Sequence, residues 1–259
     1  MTEASLFLIG GDDDSDALWA LVARWAAQAR SLQSLLVLMD EFPDHATWVP
    51  GFEARFRDLG FASVRSHLPE VRDQETPAAL ADMIRDADTV YVFGGCIERY
   101  CLHYVNAPVT AALCEHIARG RDYLGMSSGA MIAGGRVLLS NEELPFYPWF
   151  EDLRSHVTGL GDATIRTAGL GLLPRAIIDS HFNERRRQPR LFNALEHDLV
   201  ATVGIGLDSA MAVHIRGTAV TCHGRGQAYV YIRGEAGIEG KFFRDGERFC
   251  LPEGALRHL

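Results

Sequence analysis

Between residues 5 and 126, short apolar runs alternate with amphipathic stretches, and this alternation restricts the fold more than any other feature of the chain. SLFLIGG (5–11), SLLVLMD (34–40), FASVRSHL (61–68), TVYVFGG (89–95) and DYLGM (122–126) read as strands. DALWALVARWAAQAR (16–30), FEARFRDLG (52–60), PAALADMIRDA (77–87) and VTAALCEHIARG (109–120) read as helices between them. Strands separated by helices of this length cannot form hairpins. They form βαβ units, hence a parallel sheet covered on both faces, an α/β fold with three α/β/α layers.

The last third changes character. MAVHIRGTAVTCHGRGQAYVYIRGE (211–235) holds short alternating runs broken by glycine, the pattern of antiparallel hairpins. No internal repeat or low-complexity linker interrupts the 259 residues. The expectation is one domain over 1–259, with 211–259 as a β-hairpin-rich C-terminal extension.

A formal charge of −9 argues against general binding to nucleic acid or to an anionic membrane surface. No run approaches the roughly 18 apolar residues of a membrane span, and the N-terminus has no basic segment of a secretory signal. Five cysteines with no paired C-x-x-C spacing fit a reducing cytoplasm and give no zinc signature. The acidic run GGDDDSD (10–16) opens a helix, where N-capping and the helix dipole account for it without a metal.

YLGMSSGAMIAGG (123–135) raises the question of function. Gly125-Met126-Ser127-Ser128-Gly129 fits G-x-S-x-G, with a strand before it and a helix expected after it. In such an elbow the central serine stands on a strained turn, and the residues two before and two after come too close to tolerate a Cβ. Ser127 is therefore the candidate nucleophile. Ser128 would contribute its backbone N–H, not its hydroxyl, to an oxyanion, aided by the helix N-terminus. A glycine-rich βα turn with incidental serines is the plainer alternative.

A serine hydroxyl needs a base, and the base an orienting acid. His181 ends the apolar run AIIDSH (176–181), where ligands gather beyond strand C-termini. Glu142 and Glu143 in SNEELPF (140–146) lie between serine and histidine, giving the order Ser, acid, His. Asp179, two residues before His181, suits loop shaping or substrate contact better. Gly94 and Gly95 end a strand, and Gly95 can present a second oxyanion N–H.

FGGC, GMSSGAM, DSHFNERRRQPRL and GIGLDSAMAV together resemble the peptidase E and cyanophycinase family of serine peptidases, in order and near its spacing. The resemblance implies a flavodoxin-like fold related to class I glutamine amidotransferases. It also implies Ser127 as nucleophile, His181 as base and Gly95 with Ser128 as oxyanion donors. It favours Glu143 over Glu142 as the acid, and it implies that Gly94, Asp179, Arg185, Arg187 and Arg190 line a substrate pocket. A cofactor-free hydrolysis of short peptides follows, with a homodimer as the implied assembly. Guanidinium groups pair bidentately with carboxylates, which would select an acidic or isoaspartyl residue or a C-terminus. Ile97, Ser180 and Ser209 depart from the family pattern. They motivate the alternative of a non-catalytic binding protein on the same scaffold.

Overall fold

A computed structural model describes residues 5–11, 13, 15–40, 44–69, 76–139 and 166–255. The chain opens β1 (Ser5–Ile9), α1 (Ser15–Ala26), β2 (Ser34–Leu38), α2 (His45–Asp58), β3 (Ser63–His67), α3 (Pro77–Asp86) and β4 (Thr89–Val92). It continues with α4 (Ile97–Tyr104), α5 (Ala107–Ala118), β5 (Asp122–Met126), the single turn α6 (Ser128–Met131), β6 (Gly134–Leu138), β7 (Arg166–Ala168) and β8 (Leu173–Asp179). Helix α7 (Gln188–His197) precedes β9 (Val203–Leu207), β10 (Met211–Arg216), β11 (Ala219–Gly224), β12 (Ala228–Gly234), β13 (Gly237–Phe243) and β14 (Arg248–Cys250).

The strands form two sheets. The first has the order β14-β11-β10-β1-β5-β4-β2-β3, parallel from β1 to β3 and antiparallel beyond β1. The second has the order β13-β12-β9-β8-β6-β7, parallel across β6, β8 and β9. The chain changes sheets at α6, because one helical turn is too short to return the backbone to the first sheet. In the hairpin segment after residue 211, β10, β11 and β14 widen the first sheet, while β12 and β13 widen the second.

Period-two alternation explains why the first sheet is apolar throughout. Leu6 and Leu8 enter one core, with Leu36, Leu38, Val90 and Val92, while Phe7 and Ile9 enter the other, with Leu35, Val37 and Met39. Helices α1 and α2 close the second core through Leu21, Trp25 and Phe56. Helix α2 starts seven residues before the predicted helix and contains Pro50. The aromatic contacts of Trp48 and Phe52 with Phe93, Phe56 and Trp19 outweigh the hydrogen bond that proline removes. Among the described residues no helix is long and apolar enough to cross a membrane.

Candidate active site

The central strands β1 and β5 run side by side, Ile9 opposite Met126, and their C-terminal ends carry the site. Ser127 follows β5 with φ 51° and ψ −114°, and His181 follows β8 with φ 45°. Both are non-glycine residues held at positive φ, a strain that surrounding bonds must support. Those bonds come from one segment: Ser127 N–H donates to the Ile9 carbonyl at 2.9 Å, and His181 N–H to the Gly10 carbonyl at 3.0 Å.

The small neighbours of Ser127 are required by contact. A Cβ on Gly129 would stand 2.0 Å from the Val92 carbonyl oxygen, and one on Gly125 would stand 2.7 Å from that of Gly129. At Gly11 an added Cβ would meet the His181 ring at 2.3 Å, so the imidazole lies against bare backbone. What the smallness makes room for is the turn that lifts Ser127 toward His181.

Ser127 Oγ and His181 Nε2 lie 3.0 Å apart, hydrogen-bond distance for a hydroxyl donating to an imidazole. At the far side of the ring, His181 Nδ1 lies 2.9 Å from Asp13 Oδ2 and 2.9 Å from Ser209 Oγ. The Ser209 hydroxyl also donates to Asp13. Burial pushes the Asp13 carboxyl upward, but hydrogen bonds from Ser209 and His181, with the charges of His181 and Arg185, hold it below its ordinary value. Glu142 and Glu143 lie outside the described residues. In the sequence, helix capping accounts for the acidic run that holds Asp13 and hides its role. The signal available was position: the run starts at the C-terminal end of β1, beside β5.

Gly94 and Gly95 sit in a loop whose polar groups are individually tied down. The Tyr100 hydroxyl donates to the Gly94 carbonyl at 3.1 Å. The Ser128 hydroxyl donates to the Gly95 carbonyl at 2.6 Å, a role the sequence reading did not give it. Cys96 N–H donates to Asp40 Oδ2 at 3.1 Å, and Asp40 is paired in turn with the buried Arg99 at 2.8 Å. In a planar trans peptide the N–H opposes the C=O, so Tyr100 fixes the Gly95 N–H to point away from itself. Helix α6 has four residues, so its macrodipole adds little beside Ser127.

The other predicted pocket residues divide. Asp179 is fully buried, and Arg190 grips it bidentately, Nε to Oδ2 at 2.7 Å and Nη2 to Oδ1 at 2.5 Å. Arg187, also buried, reaches Asp179 Oδ1 at 3.2 Å and the Ser180 carbonyl at 3.0 Å. The sequence reading set Asp179, Arg187 and Arg190 against a substrate. In the structure they bind one another, because a carboxylate at the end of a buried strand has no solvent and must be compensated by cations. Arg185 is exposed and close enough to influence Asp13. Among the described residues no group of three or more His, Cys, Asp or Glu side chains could hold a metal.

This scaffold, a strand–serine–helix elbow facing a histidine on an α/β fold, is that of a hydrolase-type site. The chain belongs to peptidase family S51, whose model matches residues 41–223. It is similar to the cyanophycinase of Trichormus variabilis (strain ATCC 29413 / PCC 7937), 22% identical over 214 residues that cover 80% of this chain and 66% of that protein. The cyanophycinase of Geminocystis herdmanii (strain PCC 6308) is 23% identical over 211 residues, 79% of this chain and 71% of that one. The chain thus spans just under two thirds of the first of these relatives. Among solved structures, a peptidase from an acI-B1 actinobacterium shares the fold with a TM-score of 0.67 at 17% identity, covering 96% of this chain and 97% of that one.

Proposed function

We propose that this protein is a serine peptidase acting on short peptides through an acyl-enzyme. The observation that carries the reading is the 3.0 Å contact between Ser127 Oγ and His181 Nε2, with Ser127 on a strained elbow. Ser127 attacks the scissile carbonyl while His181 Nε2 takes its proton and then delivers it to the leaving amine. We assign the N–H groups of Gly95 and Ser128 as donors to the developing oxyanion, and water then releases the acyl group.

The acid is the point of departure from the sequence reading. Glu143 or Glu142 was expected, but Asp13 and Ser209 are the groups set at His181 Nδ1. Asp13, ionised and supported by the Ser209 hydroxyl, holds the imidazole tautomer with Nε2 open to Ser127. Ser209 stands where the resembling family carries an acidic residue. The carboxylate arrives instead from the end of β1.

We assign to Arg185, exposed and with its charge felt at Asp13, the pairing with a substrate carboxylate, which favours acidic or isoaspartyl peptides or a C-terminus. The mechanism requires no cofactor. None of the five cysteines is in a disulfide, which fits a cytoplasmic setting.

The test is hydrolysis by wild type and Ser127→Ala of a library holding α- and β-linked Asp dipeptides, a cyanophycin fragment and peptides with varied C-termini. Cleavage that disappears in the variant supports the serine mechanism. Neither cleavage nor labelling of Ser127 by a fluorophosphonate would establish a non-catalytic binding protein instead.

A further inference from the structure

Strand β13 is the outer strand of the second sheet, and among the described residues no strand pairs with its free edge. Its side chains are mostly exposed, with Phe242 at 54%, although it is well paired to β12 on the inner side. An edge of seven residues that no described strand covers is a template for another strand. Its sequence, Gly237-Ile238-Glu239-Gly240-Lys241-Phe242-Phe243, indicates which strand.

The segment is self-complementary about Gly240. Two copies related by a two-fold axis there, running antiparallel, set Glu239 opposite Lys241 of the other copy on one face. On the other face Ile238 stands opposite Phe242. Each match occurs twice, as a closed isologous contact demands. Opposite residues of an antiparallel pair share a face, so two-fold registers step by two residues. The next register one way puts Glu239 against its own copy, and the other way puts Lys241 against its own copy. Only the Gly240-centred register joins opposite charges.

The inner side is prepared for this register. The Tyr231 ring lies over Gly240, where an added Cβ would meet Tyr231 Cε1 at 2.8 Å. Tyr229 stands opposite Phe242 on the same face, and their rings are 6.5 Å apart. At the dyad this aromatic face continues from one copy into the next without a side chain on Gly240 in the way. Charges on an edge normally repel indiscriminate pairing. Here a Glu and a Lys flank a glycine symmetrically, which refuses other edges and other registers while satisfying its own.

We infer that this chain forms a two-fold dimer by antiparallel pairing of β13 with β13 of a second copy, centred on Gly240. This does not depend on the peptidase reading, since none of these side chains contacts Ser127, His181, Asp13 or Ser209.

The test is sedimentation of the full chain at micromolar concentration as wild type, Glu239→Lys, Lys241→Glu, and the double reversal carrying both. The wild type should be a dimer. Each single variant sets like charges opposite one another and should associate at least tenfold more weakly, with an unchanged far-UV circular dichroism spectrum to show that the fold is intact. The double reversal restores opposite pairs and should dimerise as the wild type does. An equimolar mixture of the two single variants should also dimerise, because one then carries two Glu and the other two Lys. A monomeric wild type, single variants that dimerise normally, or a mixture that stays monomeric would each overturn the inference.

Discussion

The Asp13 carboxylate reaches His181 Nδ1 at 2.9 Å across 168 residues of sequence, with the Ser209 hydroxyl bound to both. The contact exists because β1 ends between the strands that carry Ser127 and the loop that carries Ser209, with β10 pairing back along it. It sets the first prediction. Asp13→Asn should lower kcat by roughly 10²- to 10⁴-fold with a smaller change in KM, as loss of the orienting acid does elsewhere. Glu142→Gln and Glu143→Gln should each stay within about threefold of wild type. If Glu143→Gln is the damaging change, Asp13 is not the acid.

Tyr100→Phe tests the loop that presents Gly95. It keeps the buried ring and removes only the hydroxyl that holds the Gly94 carbonyl. We expect kcat to fall about tenfold at unchanged KM, less than the 10²- to 10³-fold cost of deleting an oxyanion donor outright. Tyr104→Phe removes a comparable bond, to the Met39 carbonyl, and should leave kcat unaltered. Equal kcat losses in the two variants would show a general packing effect.

Asp179→Ala should act on stability. It leaves Arg187, 4% exposed, and the largely buried Arg190 without their shared carboxylate. Removing one partner from a buried ion cluster costs about 3–5 kcal/mol, measurable by urea unfolding. Arg185→Ala, on the surface, should change stability by no more than about 0.5 kcal/mol and instead raise KM for acidic peptides.

Two histidines predict acid sensitivity. Burial pushes His116 and His214 down to about 4, from an ordinary 6.5. Between these values the unfolded chain binds protons that the folded chain refuses, so stability rises with pH across the window and is lost as pH falls from 6.5 toward 4. Each histidine accounts for on the order of 3 kcal/mol at full effect. Denaturant titrations at pH 4.5 and pH 7 should show the loss, and His116→Gln should flatten the slope. A slope unchanged by that substitution would remove His116 from the account.

Strand–helix alternation, with apolar runs at 5–9, 34–38, 89–92 and 122–126, was enough to determine the parallel part of the first sheet, because period and length are local properties of the chain. The G-x-S-x-G pattern placed Ser127 on its turn partly for the same reason: the demand at Gly125 comes from Gly129 in the same turn, whereas the demand at Gly129 comes from the Val92 carbonyl of the neighbouring strand β4 and is tertiary. Sheet membership was not local. One α/β sheet was expected, and the brevity of α6 sends the chain into a second. Nor could pairing among charged groups be read along the chain. Asp13 looked like a helix cap and Arg187 and Arg190 like pocket residues, because a carboxylate's partner is set by which strand ends converge. Only the tertiary structure brings residues 13, 127, 181 and 209 within one hydrogen-bonded reach, and only it turns Arg187 and Arg190 inward onto Asp179.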